Sequence, residues 1–305
     1  MVSIETLKSY LQTKFNTTEF ILEPIVGLGE VNQLFKTEID GKTYILRVNI
    51  ESEFETFVKE CWCYEQAHKQ GIPVPKVIEL TTRAGVSIML MEYLKGENCS
   101  TMQSKDKHTQ VYKHLGAYVN KLSLILPSED IGDLKSVAHA TSWFYTDYLG
   151  YELKQTANVD DYIELSVLQR NLLMNAIKLL SNTKFSFVLC HGDISLKNCM
   201  YVHQIQLLYL IDFGSAETHI KDYYEIMLKW LNVIYKQKLS ESDFWQFATG
   251  VLSKDAKSWF YDNLDLIKAL ALVYTLDKYR YAHDKAPEWL SDYQSRFYSV
   301  LALIA

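Results

Sequence analysis

Two stretches decide how the chain is read: His191-Gly192-Asp193-Ile194-Ser195-Leu196-Lys197-Asn198, and Ile211-Asp212-Phe213-Gly214. Between them, Cys199 to Val202 is an apolar run, His203 to Gln206 is polar, and Leu207 to Ile211 is apolar again. That alternation predicts a hairpin. A hairpin returns the chain on itself, so Asp212 comes back beside Asn198. A carboxylate and an amide oxygen then lie within reach of one divalent ion, while Asp193 is left to accept a proton.

Phosphoryl transfer needs this arrangement. One carboxylate orients a hydroxyl and takes its proton, and an amide oxygen and a second carboxylate hold magnesium against the phosphates. Protein kinases write the pattern as H-R-D-x-x-x-x-N and D-F-G. Here Gly192 replaces the Arg, giving H-G-D-x-x-x-x-N. In this the chain resembles the aminoglycoside phosphotransferase and choline kinase superfamily, the protein-kinase-like kinases of small molecules. The resemblance implies an α+β, bilobal protein-kinase-like fold. Residues 1–94 would form a nucleotide-binding lobe, a five-stranded antiparallel sheet with a helix. Residues 95–305 would form a mostly helical catalytic and substrate-binding lobe.

Upstream, Ser3 is placed to cap a helix with Ile4, Leu7, Leu11 and Phe15 at helical spacing. Strands are expected at Phe20–Val26, Val31–Ile39 and Thr43–Val48, with a turn at Asp40-Gly41. Between the first two strands lies Gly27-Leu28-Gly29-Glu30-Val31-Asn32. Paired glycines let backbone N–H groups approach phosphate, which makes Gly27, Gly29 and Asn32 candidates for a phosphate cradle; a plain turn would read the same. Arg47 is a charge inside an apolar strand and needs a partner. The helix expected over Glu53–Lys69, ended by Gly71 and Pro73, supplies Glu60 near its middle, on the side of Phe57 and Tyr64; Glu55 is the alternative. The resemblance makes Arg47 the phosphate-holding base and Glu60 its support, with Arg where protein kinases have Lys. A structural ion pair is the plainer reading.

Gly71-Ile72-Pro73-Val74-Pro75 also resembles the family, and a hairpin is expected over Lys76–Thr82 and Val86–Glu92 across Arg83-Ala84-Gly85. Met91-Glu92-Tyr93-Leu94 would then be the inter-lobe linker, with the backbone of Glu92 and Leu94 facing a purine edge. Helices follow over Gln110–Leu124, 141–154 and 161–181, and Phe185–Cys190 reads as a short buried strand. His191 is expected to anchor backbone near Asp193 rather than act as a base. Lys197 faces either the γ-phosphate or solvent. Ser215 stands where the family usually has a second Asp, so Glu217 or Asp222 would have to serve a second metal; Asp222 reads equally as a helix cap.

The net charge is −6 and no Lys/Arg-rich run occurs, which argues against nucleic acid. Five cysteines without C-x-x-C spacing, and no signal peptide, suggest reduced thiols and a cytoplasmic home. No apolar run reaches membrane-spanning length. There is no A-P-E motif or long activation segment, so a peptide acceptor is not expected. The C-terminal part mixes aromatics with Glu241, Asp243, Asp262, Asp265, Asp277, Asp284 and Glu288. Carboxylates near aromatic rings suit an amine-bearing acceptor, although solvated helix faces look alike.

The expected activity is transfer of the γ-phosphoryl of ATP or GTP, with Mg2+, to a hydroxyl of a small molecule. Asp193 is the base, Asn198 and Asp212 are the metal ligands, and Gly27, Gly29, Asn32, Arg47, Glu60, Glu92 and Leu94 bind nucleotide. An aminoglycoside-type antibiotic is the first acceptor class. A metabolite of the choline, homoserine, methylthioribose or fructosamine type is the second. A nucleotide-binding pseudoenzyme is the remaining alternative, and the intact acids argue against it.

Overall fold

The structure is a computed structural model describing residues 3–25, 33–102, 105–156, 163–235, 239–253 and 255–304. In chain order the first elements are α1 (Ile4–Phe15), β1 (Ile21–Ile25), β2 (Gln33–Ile39), β3 (Lys42–Ile50), α2 (Phe54–Lys69), β4 (Val77–Arg83), β5 (Val86–Glu92) and β6 (Glu97–Asn98). Then come α3 (Lys105–Leu122), α4 (Val137–Ser142), α5 (Leu149–Thr156), α6 (Val167–Ser181), β7 (Phe187–Cys190), β8 (Cys199–Val202), β9 (Leu207–Leu210) and β10 (Glu217–Ile220). The chain ends in α7 (Tyr223–Ile234), α8 (Glu241–Leu252), α9 (Ala256–Asp262), α10 (Leu264–Lys285) and α11 (Leu290–Ile304). Two compact units result: residues 1–104, 129–134 and 193–216, and residues 105–128, 135–192 and 217–305.

The first unit is built on an antiparallel five-stranded sheet of order β1-β2-β3-β5-β4. Its two tight turns use left-handed pairs, Asp40-Gly41 and Ala84-Gly85, whose twist matches that of the flanking strands. Arg83 pairs with Val86, so the second turn is one residue tighter than expected from Arg83-Ala84-Gly85. Strand alternation gives each face its own cover. Leu46 and Val48 share one core with Phe35, Ile39, Val86, Ile88 and Leu90, closed by Leu7, Tyr10 and Leu11 of α1. Arg47 points the other way, to α2, which buries Phe57, Glu60 and Tyr64. Ser3 does not cap α1 through its side chain; its hydroxyl donates to Glu5 instead, at 2.7 Å. A second, three-stranded sheet, β6-β8-β9, contains the expected hairpin, with Cys199 opposite Leu210 and Val202 opposite Leu207.

The second unit is mostly helical. α3 and α8 cross so closely that a Cβ on Gly116 would stand 2.1 Å from the Phe247 carbonyl, and one on Gly250 2.4 Å from that of Lys113. α6 begins later than expected because Ser166 and Gln169 form a capping box that fixes its start. Between α4 and α5 the chain takes a π-helical turn over Trp143–Tyr148. Its fully buried Phe144 meets the rings of Tyr145, Phe185, Phe187 and His219. β10, not foreseen from the sequence, pairs antiparallel with β7. α10 is buried along most of its length, and its Arg280 forms a bidentate ion pair with Glu152 of α5. Among the described residues no helix is long and apolar enough to cross a membrane.

Candidate active site

The 3-10 turn Leu196–Asn198 leads straight into β8, and the hairpin brings the Ile211 N–H to the Asn198 carbonyl at 3.0 Å. Asn198, buried, donates its amide nitrogen to the Asp193 carbonyl at 2.8 Å and to the Asp193 carboxylate at 2.9 Å. These bonds use the nitrogen, so the amide oxygen is the group Asn198 can turn to an ion. Asp193 itself is exposed. Asp212 adopts a left-handed backbone, φ 63°, and its carboxylate is half exposed.

Arg47 ties this segment to the sheet. Its guanidinium donates to Glu60 at 2.5 and 3.0 Å and to Asp212 Oδ1 at 3.2 Å. Glu60 is thus the partner, and Glu55 is exposed. Burial pushes the Glu60 carboxyl up and Arg47 pulls it back. Burial also works against the Arg47 charge, yet the Glu60 carboxylate outweighs it, with help from Tyr64 and Asp212, and its pKa lies above the ordinary arginine value. Arg47 keeps its charge, since a guanidinium does not deprotonate in a protein, and it faces both Glu60 oxygens.

Three supports were not singled out in the sequence. The Tyr64 hydroxyl accepts the Asp212 N–H at 2.9 Å, and its ring meets Phe213 edge-on at 5.0 Å. Lys59 donates to the Gly214 carbonyl at 2.8 Å. In the helical unit, Glu225 of α7 accepts the N–H groups of His191 at 2.7 Å and Gly192 at 2.9 Å. These are the two residues directly before Asp193 in the sequence. The other Glu225 oxygen is buried and has no hydrogen-bond partner among the described residues. Burial pushes its carboxyl up, against the pull of Gly192, Lys229 and His191. His191 is fully buried, as an anchoring residue would be. Tyr64, Lys59 and Glu225 lie 148, 155 and 34 residues from the groups they hold, so only periodicity hinted at them.

Gly27, Gly29 and Asn32 lie outside the described residues. At the linker, the Glu92 N–H donates to the Lys76 carbonyl, and the Leu94 carbonyl accepts from Gly96, each at 2.9 Å. Lys197 is exposed, and its carbonyl accepts from Asn98 at 2.7 Å. Glu217 receives a short hydrogen bond from the Tyr224 hydroxyl. Asp222 precedes α7 but forms no side-chain cap, because its own φ of 65° turns it away from capping geometry.

The donor set fits a hard divalent cation: an amide oxygen and a carboxylate, neither soft nor imidazole. Among the described residues no three His, Cys, Asp or Glu side chains gather to hold a metal. An ion here would therefore take its remaining ligands from water and phosphate, as Mg2+ does.

An antiparallel sheet with a buried Arg–Glu pair, joined to a loop–hairpin–D-F-G segment, defines a protein-kinase-like small-molecule kinase. The sequence profile of the phosphotransferase enzyme family (APH) matches residues 24–219, and the chain belongs to that family. Its general reaction is phosphoryl transfer from a nucleoside triphosphate to a small-molecule hydroxyl. Comparison with curated proteins gives no match. Among solved structures, the fold is similar to a thermostable mutant of aminoglycoside phosphotransferase APH(4)-Ia in ternary complex with AMP-PNP and hygromycin B. The TM-score is 0.67 at 14% identity, over 97% of this chain and 98% of that one. The GDP and kanamycin complex of APH(2'')-IIIa gives a TM-score of 0.64 at 15% identity, over 97% and 98%. A Haemophilus somnus 129PT protein assigned as a fructosamine-3-kinase gives 0.60 at 15%, over 98% and 97%.

Proposed function

We propose that this chain transfers the γ-phosphoryl group of ATP or GTP to a hydroxyl of an amine-bearing small molecule, an aminoglycoside-type antibiotic first of all. The observation that carries the reading is that one compact unit holds two hydrogen-bonded groups, Asp193 with Asn198 and Asp212 with Arg47 and Glu60, joined where the Ile211 N–H meets the Asn198 carbonyl. Asp193 accepts the acceptor's hydroxyl proton as the new phosphorus–oxygen bond forms and the bond from the γ-phosphorus to the departing nucleoside diphosphate breaks, and Asn198 orients Asp193. Asn198 and Asp212 would hold Mg2+, which when bound spreads charge over the transferring phosphates. Arg47, fixed by Glu60, sets the α- and β-phosphates, and Gly27, Gly29 and Asn32 form the cradle. The Glu92 carbonyl and the Leu94 N–H meet the purine edge; the Glu92 N–H and the Leu94 carbonyl are already engaged.

In this reading residues 1–94 form the nucleotide-binding lobe and residues 95–305 the catalytic and substrate-binding lobe. The helical unit favours a cationic acceptor. Glu217 accepts a hydrogen bond from the Tyr224 hydroxyl, and the Tyr224 ring meets Tyr274 edge-on at 6.3 Å. Carboxylates among tyrosine rings attract ammonium groups. Similarity to proteins solved with hygromycin B and kanamycin supports an antibiotic acceptor. Similarity to the assigned fructosamine-3-kinase supports a metabolite as the second reading. None of the five cysteines forms a disulfide, which suits a reducing cytoplasm.

The test is ADP and GDP release by the purified protein with Mg2+, against one panel of aminoglycosides and one of hydroxylated metabolites. Release with an aminoglycoside at low-micromolar KM, about the tight end of common values, is expected. Release only with a metabolite selects the second reading. Nucleotide binding with no release from either panel removes both.

A further inference from the structure

Lys59 neighbours Glu60 on α2 but serves a different partner. Its ammonium donates to the Gly214 carbonyl at 2.8 Å and lies 3.0 Å from Asp133 Oδ1 and 3.1 Å from Oδ2. The Lys59 side chain is 6% exposed and that of Asp133 48%, so the carboxylate stays half in water while neutralising a buried charge. Asp133 sits in a narrow loop closed by paired backbone hydrogen bonds between Ile131 and Leu134, at 2.9 and 3.0 Å. Thr56 of α2 adds a hydrogen bond to Asp133 at 3.3 Å.

Gly132 shows how closely this loop lies on the helix. Its φ is +57°, and a Cβ there would stand 2.1 Å from the Glu55 carbonyl oxygen and 3.1 Å from the Lys59 backbone nitrogen. Residues 129–134 belong to the first unit, although the chain on both sides of them belongs to the second.

We propose that Lys59, clamped by Asp133, is a positioning residue for Asp212; this rests on the reading of Asp212 as a metal ligand. A non-glycine residue at φ 63° must be held there by its surroundings. α2 grips the segment at three points. Tyr64 accepts the Asp212 N–H, the Tyr64 ring meets Phe213, and Lys59 holds the Gly214 carbonyl. The same helix carries Glu60, which fixes Arg47. The phosphate-binding guanidinium and the metal-binding acid are therefore set by one rigid element, and the 129–134 loop locks that element from outside.

The test compares wild type with Lys59→Met, Lys59→Arg and Asp133→Asn. Hydrogen exchange of residues 211–216 is measured without nucleotide, and ADP affinity is measured with Mg2+ and with EDTA. Lys59→Met is expected to speed exchange of that segment about tenfold and to lose about tenfold of the affinity that Mg2+ confers, with EDTA binding unchanged. Lys59→Arg, which keeps charge and donors, recovers most of both. Wild-type exchange and Mg2+ gain in Lys59→Met would overturn the proposal, as would an equal loss in EDTA. If Lys59→Met does not fold, Asp133→Asn decides: a severalfold loss of the Mg2+ gain supports the clamp, and wild-type behaviour overturns it. If wild type gains nothing from Mg2+, the metal-ligand reading fails, and the exchange measurement alone judges the clamp.

Discussion

Asn198 binds Asp193 twice through one amide nitrogen, at the backbone carbonyl and at the carboxylate. The two residues that the proposed function gives to metal and to base are thus mechanically one group. A carboxylate held this way has its second oxygen directed by the first, which is what orienting a hydroxyl requires. Asp193→Ala is expected to lower kcat by about a thousandfold or more, in the upper range for a general base. Nucleotide affinity should stay within about twofold, because no phosphate contact is assigned to Asp193. Single-turnover phosphoryl transfer alongside equilibrium ADP titration separates the two, and full turnover in the variant would remove Asp193 as the base.

Asp212→Ala should act differently. Asp212 is paired with Arg47 but half exposed, so the loss to stability is small. The loss to nucleotide binding should appear only with Mg2+ present and vanish in EDTA. Titrating ADP in both conditions checks this. Equal weakening in the two would assign Asp212 to phosphate or to folding instead.

The buried Arg47–Glu60 pair makes a stability prediction. Glu60 is fully buried, so removing it leaves a guanidinium whose carboxylate partner among the described residues is the exposed Asp212. Breaking such a pair costs about 3–5 kcal/mol, whereas replacing both partners by apolar groups of similar volume is often close to neutral. Glu60→Leu should therefore lower urea stability by about 3 kcal/mol, and Arg47→Met with Glu60→Leu should restore most of it while abolishing nucleotide binding. Additive losses in the double variant would mean that the pair is not what the two residues contribute.

Much of this site is legible in the sequence because it is local or periodic. Asp193 and Asn198 lie five residues apart, and the polar break at His203–Gln206 announces the hairpin that returns Asp212. Glu60 announces itself as the acid on the apolar face of α2, and Arg47 as a charge within an apolar strand. Lys59, Tyr64, Asp133 and Glu225 are not legible, because each works on a partner that only the tertiary fold brings near. A lysine beside Glu60 reads as a solvated helix residue until the Gly214 carbonyl is seen in front of it. β10 is not legible either, because Glu217-Thr218-His219-Ile220 carries no strand-like alternation, and its pairing with β7 supplies the reason it is extended.

Glu225 holds the backbone just before Asp193 through one oxygen, which accepts both N–H groups. Glutamine keeps a carbonyl oxygen able to accept both, whereas alanine leaves two buried donors unpaired. Glu225→Gln should keep kcat within a fewfold of wild type, and Glu225→Ala should lose on the order of a hundredfold with KM for nucleotide little changed. Steady-state kinetics on both variants decides it; equal losses would mean the charge, not the acceptor geometry, is what matters.

His219 sets a pH dependence whose sign can be worked out. Its Nδ1 accepts the Ile220 N–H at 2.8 Å, and the ring stacks on Tyr224 at 3.7 Å and meets Phe144 edge-on at 6.0 Å. A ring accepting at Nδ1 is neutral, and burial lowers its pKa while Glu217 pulls it back only in part. The unfolded chain therefore binds a proton at about pH 6.5 that the folded chain refuses, so this contribution to stability is intact above that value and falls as pH drops below it. Glu225, Glu152 and Asp277 oppose the trend, since burial raises their pKa values and acid favours their folded forms. The variant His219→Asn removes the titration while placing an amide oxygen near the Nδ1 position. Relative to it, wild type should lose about 1 kcal/mol between pH 7.5 and 5.5, less than the 1.4 kcal/mol per pH unit that one full proton allows. Urea titrations at the two pH values measure the difference. Parallel curves for the two proteins would show that His219 takes up its proton equally in the folded and unfolded chains, against the hydrogen bond it accepts.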